Sequence, residues 1–246
     1  MIDIKQLSFS YPGSDPILKN ISLCIDPGET VGVMGGNGSG KTTLARCLNG
    51  LYEPSSGDVI VDGINTKDHD AIYEVHRRVG LVFQNPDHQI VATTVEREIA
   101  FGLENLAIEH SEMLTRVNEA LEKFDLMRYR QTEPHLLSGG ERQRLALAAV
   151  WVMRPSYYVM DEPTSLLDPA GREMILNFIK AEAEQNNGVV MITQYAEDVL
   201  DLDRLIVLEK GEILIQGAPE SVFRELAGMA SCKINIPLEF EINALR

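Results

Sequence analysis

The most informative segment of this 246-residue chain is the stretch GGNGSGKTT, from Gly35 to Thr43. It follows the apolar run TVGVM and precedes the helical pattern LARCLNGL, so a strand, a glycine-rich loop and a helix are expected in that order. The pattern GxxxxGK(S/T) is satisfied by Gly35, Gly40, Lys41 and Thr42. Glycines let consecutive backbone N–H groups surround phosphate oxygens, and a helix N-terminus adds partial positive charge. The segment predicts a phosphate-binding loop, although a glycine-rich turn with an incidental lysine is the simpler alternative.

The side chains of this loop suit a nucleotide with a divalent cation. Lys41 would reach the β- and γ-phosphates, and the hydroxyl of Thr42 would ligate Mg²⁺. The residues predicted to contact the nucleotide are Gly35, Gly36, Asn37, Gly38, Ser39, Gly40, Lys41, Thr42 and Thr43.

A second segment, YYVMDEP from Tyr157 to Pro163, reads as an apolar strand that delivers two adjacent carboxylates to its carboxyl end. Because a strand alternates its side chains, Asp161 and Glu162 are expected to point to different sides and to hold different roles. Asp161 suits a Mg²⁺ ligand, and Glu162 suits the polarisation of an attacking water. A solvated acidic start of a loop is the alternative.

The composition excludes some classes of function. The chain has 37 acidic and 22 basic residues and a formal net charge of -15, which argues against a nucleic-acid partner because such binding depends on Lys and Arg at phosphates. Cys24, Cys47 and Cys232 are widely separated, so neither a disulfide framework nor a zinc site is indicated, and a reducing cytosol fits. The N-terminus lacks a signal pattern, and the longest apolar run is too short to span a bilayer.

Short β-branched runs alternate with helical patterns, which predicts an α/β fold with a mostly parallel sheet and an N-terminal antiparallel β layer. Between VGLVFQ and YYVMDE only helical patterns occur, so a helical lobe of about residues 86–153 is expected as an insertion in the core. One domain is predicted over residues 1–226, and residues 227–246 form a short C-terminal appendage. The predicted strands are ILKNISLCI, TVGVMG, DVIVDG, VGLVF, YYVMD, VVMIT and the two halves of RLIVLEKGEILIQG.

The stretch LLSGGERQRLALAAV, from Leu136 to Val150, begins a predicted amphipathic helix. Ser138 and Glu141 match the capping box S-x-x-E, which would explain the serine and the acid. It leaves Gly139 and Gly140 unexplained, because each glycine costs roughly 1 kcal/mol against alanine in a helix. Bare backbone N–H groups at a helix N-terminus attract an anion, so an anionic ligand at this helix end is the second interpretation.

Taken together, these motifs resemble those of an ATP-binding-cassette (ABC) ATPase, whose core is a P-loop NTPase, over nearly all of residues 1–226. Leu137 to Glu141 match the LSGGE/Q signature of that family. Tyr11 matches the aromatic residue that stacks on adenine, and Gln84 matches the Q-loop glutamine. The residues SLLD, Ser165 to Asp168, match the D-loop, a segment of the dimer contact.

The resemblance implies that two such domains sandwich two ATP molecules head to tail, with Mg²⁺ as cofactor. Ser138, Gly139, Gly140 and Glu141 would then act on ATP held by a partner chain. The roles implied within this chain's own site are catalysis by Glu162, Gln84 and Gln194, and metal binding by Thr42, Gln84 and Asp161.

The stretch VFQNPDHQIVATTVEREIAFGLEN, Val82 to Asn105, resembles the ATPases of energy-coupling-factor transporters, which import cobalt, nickel and vitamins. Thr93 to Glu96 also offers a Thr-x-x-Glu helix start, so a plain helix boundary is the alternative. The subfamily implies a membrane-embedded coupling subunit, a separate substrate-capture subunit and a peripheral position on the cytoplasmic face of the membrane. Two other functions stay open: a soluble cassette ATPase that moves no solute, and a regulatory cassette that hydrolyses ATP weakly.

One position departs from the family pattern. The family has a histidine after the strand that ends in VVMIT, and this chain has Gln194 there. A glutamine amide donates and accepts hydrogen bonds but carries no charge, so slower hydrolysis is expected at this site. The signature from Ser138 to Glu141 is intact and can still complete a partner's site, so only the site on this chain is affected. This difference between the two sites favours a heterodimer with a non-identical ATPase, while a homodimer stays open. The alternative is that Gln194 is a polar strand end without a chemical role.

Overall fold

The computed structural model describes residues 1–229, 234–237 and 240. The predicted appendage, residues 227–246, lies largely outside the described residues, and Cys232 is among those not described. The boundary at residue 226 therefore stays a prediction.

The described residues form ten strands, seven α-helices and four short 3-10 turns. The strands are β1 (Ile2–Phe9), β2 (Leu18–Ile25), β3 (Thr30–Gly35), β4 (Ser56–Val61), β5 (Ile64–Asn65), β6 (Val79–Val82), β7 (Tyr157–Asp161), β8 (Gly188–Ile192), β9 (Arg204–Glu209) and β10 (Glu212–Gly217). The helices are α1 (Lys41–Leu48), α2 (Ile72–Arg78), α3 (Val95–Asn105), α4 (His110–Lys123), α5 (Gly139–Trp151), α6 (Pro169–Glu184) and α7 (Pro219–Ala227). The 3-10 turns are Pro86–His88, Met127–Tyr129, Pro134–Leu136 and Ala196–Asp198.

The larger sheet has six strands in the order β10-β9-β3-β8-β7-β6. Its strands pair in parallel except β10, which runs antiparallel to β9. Every residue of β3, β7 and β8 is buried, which explains why these strands are apolar throughout instead of alternating. The carboxyl ends of these strands meet at one edge of the sheet, where ligands bind in open α/β folds.

The smaller sheet is antiparallel, with the strand order β2-β1-β4-β5. Ile2 pairs with Ile25 on one side and with Val61 on the other. The predicted α/β fold with an N-terminal antiparallel layer is thus confirmed. Strand β5, which comprises only Ile64 and Asn65, gave no signal in the sequence because two residues are too short for a periodic pattern.

The parallel sheet separates two hydrophobic clusters. On one face, apolar residues of the sheet pack with α1 and with the antiparallel sheet. On the other face, they pack with α3, α4, α5, α6 and α7. In β7, Tyr157 and Val159 face the first cluster, whereas Tyr158 and Met160 face the second, as alternation along a strand requires.

The segment between β6 and β7, residues 83–156, is described throughout and contains α3, α4 and α5. Helix α3 begins one residue later than the Thr93 to Glu96 pattern predicts. Thr94 is its N-cap and accepts a hydrogen bond from the Arg97 N–H, while the Glu96 carboxylate pairs with Arg130. The helix boundary offered as the alternative interpretation is therefore present, with the cap at Thr94 instead of Thr93. No helix among the described residues combines the length and apolarity that a membrane span requires.

Candidate nucleotide site

The phosphate loop joins β3 to α1 and packs tightly against the core on one side. A Cβ atom on Gly35 would lie 2.3 Å from the Leu208 carbonyl oxygen, and one on Gly40 would lie 2.7 Å from the Leu18 Cδ2 atom. Gly40 also has a φ of 104°, a backbone conformation that favours glycine. Both positions therefore require glycine for the loop to keep its path.

The other side of the loop is open. A Cβ atom on Gly36 or Gly38 would meet nothing within 4 Å, and the Ser39 hydroxyl has no hydrogen-bond partner within the described residues although it is buried. The buried Lys41 Nζ donates to the carbonyl oxygens of Gly35 (2.8 Å) and Gly36 (3.1 Å). Burial lowers the pKa of Lys41, and the charges of Glu162 and Asp161 oppose that shift. An open loop with a buried ammonium group and a free hydroxyl fits a phosphate group.

The last residue of β7, Asp161, lies beside the first turn of α1. The Thr42 hydroxyl donates a 2.7 Å hydrogen bond to Asp161 Oδ2. Asp161 is buried, and this burial raises its pKa, whereas the hydrogen bond from Thr42 opposes the rise. Oxygen atoms of carboxylates and hydroxyls are ligands that Mg²⁺ prefers, so this pair fits the predicted metal role. Gln84, the third predicted metal ligand, lies instead against Glu162.

Glu162 follows the end of β7 and is not part of the strand. Its φ is 49°, in the left-handed region, and its N–H donates to the Ile192 carbonyl oxygen at 2.8 Å. Asp161 and Glu162 do face different partners, as predicted. The expected cause, alternation within the strand, was wrong, because the separation comes from this turn. A non-glycine residue held in the left-handed region costs on the order of 1 kcal/mol, and such residues cluster at functional sites.

Two glutamine amides hold the Glu162 carboxylate. Gln84 Nε2 donates to one carboxylate oxygen at 3.2 Å, and Gln194 Nε2 donates to the other at 2.5 Å. The three residues predicted to be catalytic are thus in direct contact, although the chain separates them widely. The Ser165 hydroxyl donates to the Glu162 carbonyl oxygen at 3.0 Å, which brings the predicted D-loop to the same place.

Tyr11 lies in the turn between β1 and β2. Its ring packs edge-on against Phe9 and Tyr52, with centroid distances of 5.1 and 5.7 Å. The same connection reaches the phosphate loop, since a Cβ atom on Gly40 would lie 3.2 Å from the Ile17 carbonyl oxygen. Tyr11, the residue predicted to contact adenine, therefore lies on a segment that touches the phosphate loop. The role of Tyr11 stays a prediction.

The signature residues lie at the N-terminus of α5. Glu141 Oε2 accepts a 2.7 Å hydrogen bond from the Ser138 N–H, and the Ser138 hydroxyl accepts one from the Glu141 N–H at 3.3 Å, so the capping box is present. The hydrogen bond from the Tyr129 hydroxyl, with that from the Ser138 N–H, lowers the pKa of Glu141 from 4.5 to about 2. A Cβ atom on Gly139 would meet nothing within 4 Å, whereas one on Gly140 would lie 3.4 Å from Leu167.

The D-loop packs beside this helix end and leads into α6. Asp168 caps α6 by accepting a 2.9 Å hydrogen bond from the Gly171 N–H. Leu166 is exposed, and its carbonyl oxygen would lie 3.6 Å from a Cβ atom on Gly140. The predicted signature and D-loop therefore form one surface of this chain.

Two residues near the site escaped the sequence analysis. Gln89 Oε1 accepts a 3.1 Å hydrogen bond from the Phe83 N–H, and Gln89 Nε2 donates to the Ala146 carbonyl oxygen on α5 at 2.8 Å. Asp198 is buried and accepts hydrogen bonds from Thr164 and Thr193, which lie close in sequence to Glu162 and Gln194. Gln89 belongs to the QNPxxQ stretch and could have been singled out, but Asp198 lies in the acidic run AEDVLDLD, which reads as a solvated surface.

Comparison with known proteins identifies the family of this chain. The sequence profile of the family described as ABC transporter matches residues 18–165 of this chain. The chain belongs to the ABC transporter family. The predicted ABC ATPase, with ATP as its nucleotide, is thereby confirmed.

Individual ABC proteins resemble this chain over nearly its whole length. The energy-coupling factor transporter ATP-binding protein EcfA1 of Clostridium novyi (strain NT) is 42% identical over 248 residues, which cover 98% of this chain and 88% of that protein. The ABC transporter protein cbiO1 of Clostridium perfringens, part of the complex cbiONQ, has a similar structure with a TM-score of 0.80 and 32% identity, over 91% of this chain and 90% of that one. The ATP-binding cassette MJ0796, solved as a dimer in a post-hydrolysis state with ADP and Pi, gives a TM-score of 0.83 and 30% identity, over 89% and 99%. The predicted resemblance to energy-coupling factor ATPases is confirmed by the first of these.

Proposed function

We propose that this chain is the ATP-hydrolysing subunit of an energy-coupling factor transporter, and that it drives uptake of a vitamin or a transition-metal ion through membrane partners. ATP hydrolysis coupled to transport is the activity of the family to which the chain belongs. The observation that carries the proposal is the Glu162 carboxylate, held between Gln84 and Gln194 beside the phosphate loop.

In this proposal some residues of this chain bind the phosphates and others activate the attacking water. Lys41 neutralises charge on the β- and γ-phosphates, and the open loop at Gly36 and Gly38 supplies backbone N–H donors. Glu162 accepts a proton from the attacking water as its oxygen bonds to the γ-phosphorus and the bond to ADP breaks. Gln84 and Gln194 fix the direction of the carboxylate, so that its free lone pairs point toward the water.

We assign the Mg²⁺ site to Thr42 and Asp161, with Gln84 as a third oxygen donor. The 2.7 Å contact between Thr42 and Asp161 places two suitable oxygen atoms next to the phosphate loop. Bound there, Mg²⁺ supplies a Lewis acid that neutralises charge on the β- and γ-phosphate oxygens. Gln84 is also bonded to Glu162, so one side chain would contact both the cation site and the base.

A second ATPase chain completes the site in this proposal. Ser138, Gly139, Gly140 and Glu141 would act on ATP held by the partner, as the open space at Gly139 permits. Ser165 and Asp168 would lie in the contact between the two chains. We favour a heterodimer, because Gln194 offers an uncharged amide where the family has histidine, and its nitrogen is already bonded to Glu162.

The membrane subunits are proposed to bind beside the Q-loop. A groove of about 310 Å³ lies between the segment from Asp87 to Thr93 and the segment from Glu133 to Arg142. The Val91 side chain is 67% exposed in it, which suits an apolar contact with a helix of a membrane-embedded coupling subunit. A separate membrane subunit would capture the solute. The chain would thus lie peripherally at the cytoplasmic face of the cell membrane.

The proposed role of Glu162 is tested by Glu162→Gln in the assembled transporter. Turnover should fall by about 10²-fold or more while ATP binding is retained, because the amide keeps the shape but accepts no proton. Glu184→Gln, at an exposed carboxylate near the end of α6, is the matched control. Unchanged turnover in Glu162→Gln would contradict the assignment of the base.

The need for a partner is tested by steady-state ATPase activity of the purified chain, alone and then with candidate ATPase and membrane subunits. Negligible turnover alone and rescue by a second cassette would support the heterodimer. Substantial turnover by the chain alone would contradict it, since a homodimer with Gln194 at both sites would suffice.

A further inference from the structure

The carboxylate of Asp198 joins three segments of the chain behind the proposed catalytic residues. It lies in the 3-10 turn Ala196–Asp198 and is 2% exposed. Its Oδ2 accepts hydrogen bonds from the hydroxyls of Thr164 (2.7 Å) and Thr193 (3.2 Å). Its Oδ1 accepts from the Arg172 guanidinium. Buried carboxylates are costly unless they are paired and hydrogen-bonded, and this one has three such partners, two hydroxyls and one guanidinium.

Each partner of Asp198 belongs to a segment with a proposed function. Thr164 lies two residues after Glu162 and immediately before the D-loop. Thr193 immediately precedes Gln194. Arg172 is in α6, the helix that begins at the D-loop, and its guanidinium also lies 5.5 Å from the centre of the Tyr195 ring. One buried carboxylate thus connects the base, the glutamine at the family's histidine position and the D-loop.

The connection to Gln194 runs through the backbone. The Thr193 hydroxyl, which donates to Asp198, accepts a 3.0 Å hydrogen bond from the Tyr195 N–H. These two bonds bracket Gln194, so they fix the backbone from which its amide reaches Glu162 at 2.5 Å. On the other side, the Thr164 hydroxyl ties down the chain just after Glu162.

We propose that Asp198 is a positioning residue for ATP hydrolysis, which holds Glu162 and Gln194 in the geometry that the attack requires and transmits movement of the D-loop to them. This inference rests on the roles proposed for Glu162 and Gln194. Asp198 itself contacts Thr164, Thr193 and Arg172 and acts only through them. A small displacement of a catalytic group lowers turnover strongly, so loss of the Asp198 contacts should affect the chemical step more than the binding of ATP.

The test is Asp198→Asn in the assembled transporter, with kcat, KM for ATP and the melting temperature measured together. We expect kcat to fall on the order of tenfold or more with KM within about twofold of the original value. Asp201→Asn is the matched control, because Asp201 lies three residues further along and makes an exposed ion pair with Lys180 at 2.9 Å. An unchanged kcat in a folded Asp198→Asn protein would overturn the proposal.

Two further measurements separate positioning from a purely structural role. Thr193→Val and Thr164→Val each remove one hydroxyl but leave the pairing of Asp198 with Arg172, so they should fold and still lower kcat. A double-mutant cycle between Asp198→Asn and Gln194→Ala should be strongly non-additive, because the first substitution acts partly through the second residue. Additive effects, or a lower melting temperature with normal kcat in both threonine variants, would overturn the proposal.

The outcome also distinguishes this inference from the proposed function. If Glu162→Gln keeps normal turnover, the proposed function fails at its base. If Glu162→Gln abolishes turnover and Asp198→Asn leaves kcat unchanged, only the role of Asp198 fails.

Discussion

The phosphate loop and the signature end of α5 are both glycine-rich starts of helices, but they are built differently. At the phosphate loop, Lys41 bonds to carbonyl oxygens of its own loop, and the neighbouring Glu162 has both carboxylate oxygens occupied by glutamine amides. At the signature end, Ser138 and Glu141 cap the helix reciprocally, the Glu141 carboxylate also accepts a hydrogen bond from the Tyr129 hydroxyl, and Gly139 faces open space. The first region holds a full set of groups for phosphate and water, whereas the second is one capped helix end. The difference supports the proposal that the signature serves a nucleotide bound elsewhere.

The largest effect that would sharpen this contrast is expected from Lys41→Ala. Removing the buried ammonium group should lower turnover by about 10² to 10³-fold and weaken ATP binding to the isolated chain, because Lys41 is proposed to neutralise charge on the β- and γ-phosphates. Nucleotide titration of the isolated chain and ATPase assays of the complex measure the two effects. Lys180→Ala, at a surface ion pair, is the control. Normal ATP affinity in Lys41→Ala would mean that the loop is not the binding half of the site.

A smaller and different effect is expected from Ser138→Ala. Turnover of the assembled complex should fall by about tenfold or more, while ATP binding to the isolated chain stays unchanged, since the signature is proposed to act on the partner's nucleotide. Loss of the N-cap should also cost about 1 kcal/mol of stability, or about 2–4 °C in melting temperature.

The comparison would break if Ser138→Ala weakened ATP binding by the isolated chain as much as Lys41→Ala does. Ser221→Ala, an exposed serine in α7, controls for the loss of a hydroxyl.

At the phosphate-loop end, Gln194→His should raise turnover of the complex by severalfold with ATP binding unchanged. Histidine can carry a charge and donate to a phosphate oxygen, whereas the glutamine amide donates only as a neutral group. Gln194→Ala should lower turnover further, because Glu162 then loses a 2.5 Å hydrogen bond. Equal turnover in the Gln194→His and original proteins would remove the main reason for favouring a heterodimer.

The smallest effect concerns the signature end and is a matter of stability. The folded-state pKa of Glu141 is about 2, below its ordinary 4.5, so the ionised carboxylate stabilises the fold fully at pH values above 4.5. That contribution is lost as the pH falls from 4.5 toward 2. Glu141→Gln should therefore melt about 2–4 °C lower at pH 7, and the gap should narrow below pH 4.5. Thermal melts across pH would show the opposite trend if the carboxylate were destabilising.

The sequence predicted what depends on residues close together in the chain. The phosphate loop, the capping box at Ser138 and the buried strands β3, β7 and β8 each follow from a contiguous pattern, and the structure has all of them. The order of the motifs further indicated the family, and the run of helical patterns without a strand between VGLVFQ and YYVMDE indicated the helical insertion.

Contacts between distant segments were beyond reach of local patterns. Gln84, Glu162 and Gln194 follow three different strands, β6, β7 and β8, and only the family resemblance associated these residues. Glu162 takes a left-handed backbone that its side chain does not favour, so no propensity predicts it. Asp198 was not singled out, because its hydrogen bonds to Thr164, Thr193 and Arg172 depend on the folded arrangement of the chain.

The two hydrogen bonds of Gln89 have a consequence for the coupling between the two proposed nucleotide sites. One side chain spans from the backbone next to Gln84 to the carbonyl oxygen of Ala146 in the signature helix. In the proposed two-chain arrangement, Gln84 senses the nucleotide of this chain, while the N-terminus of the same helix meets the nucleotide of the partner. The two hydrogen bonds of Gln89 would then link the Q-loop to the signature helix within one chain. A shift of this helix toward the partner's nucleotide would move Gln84 relative to the nucleotide of this chain.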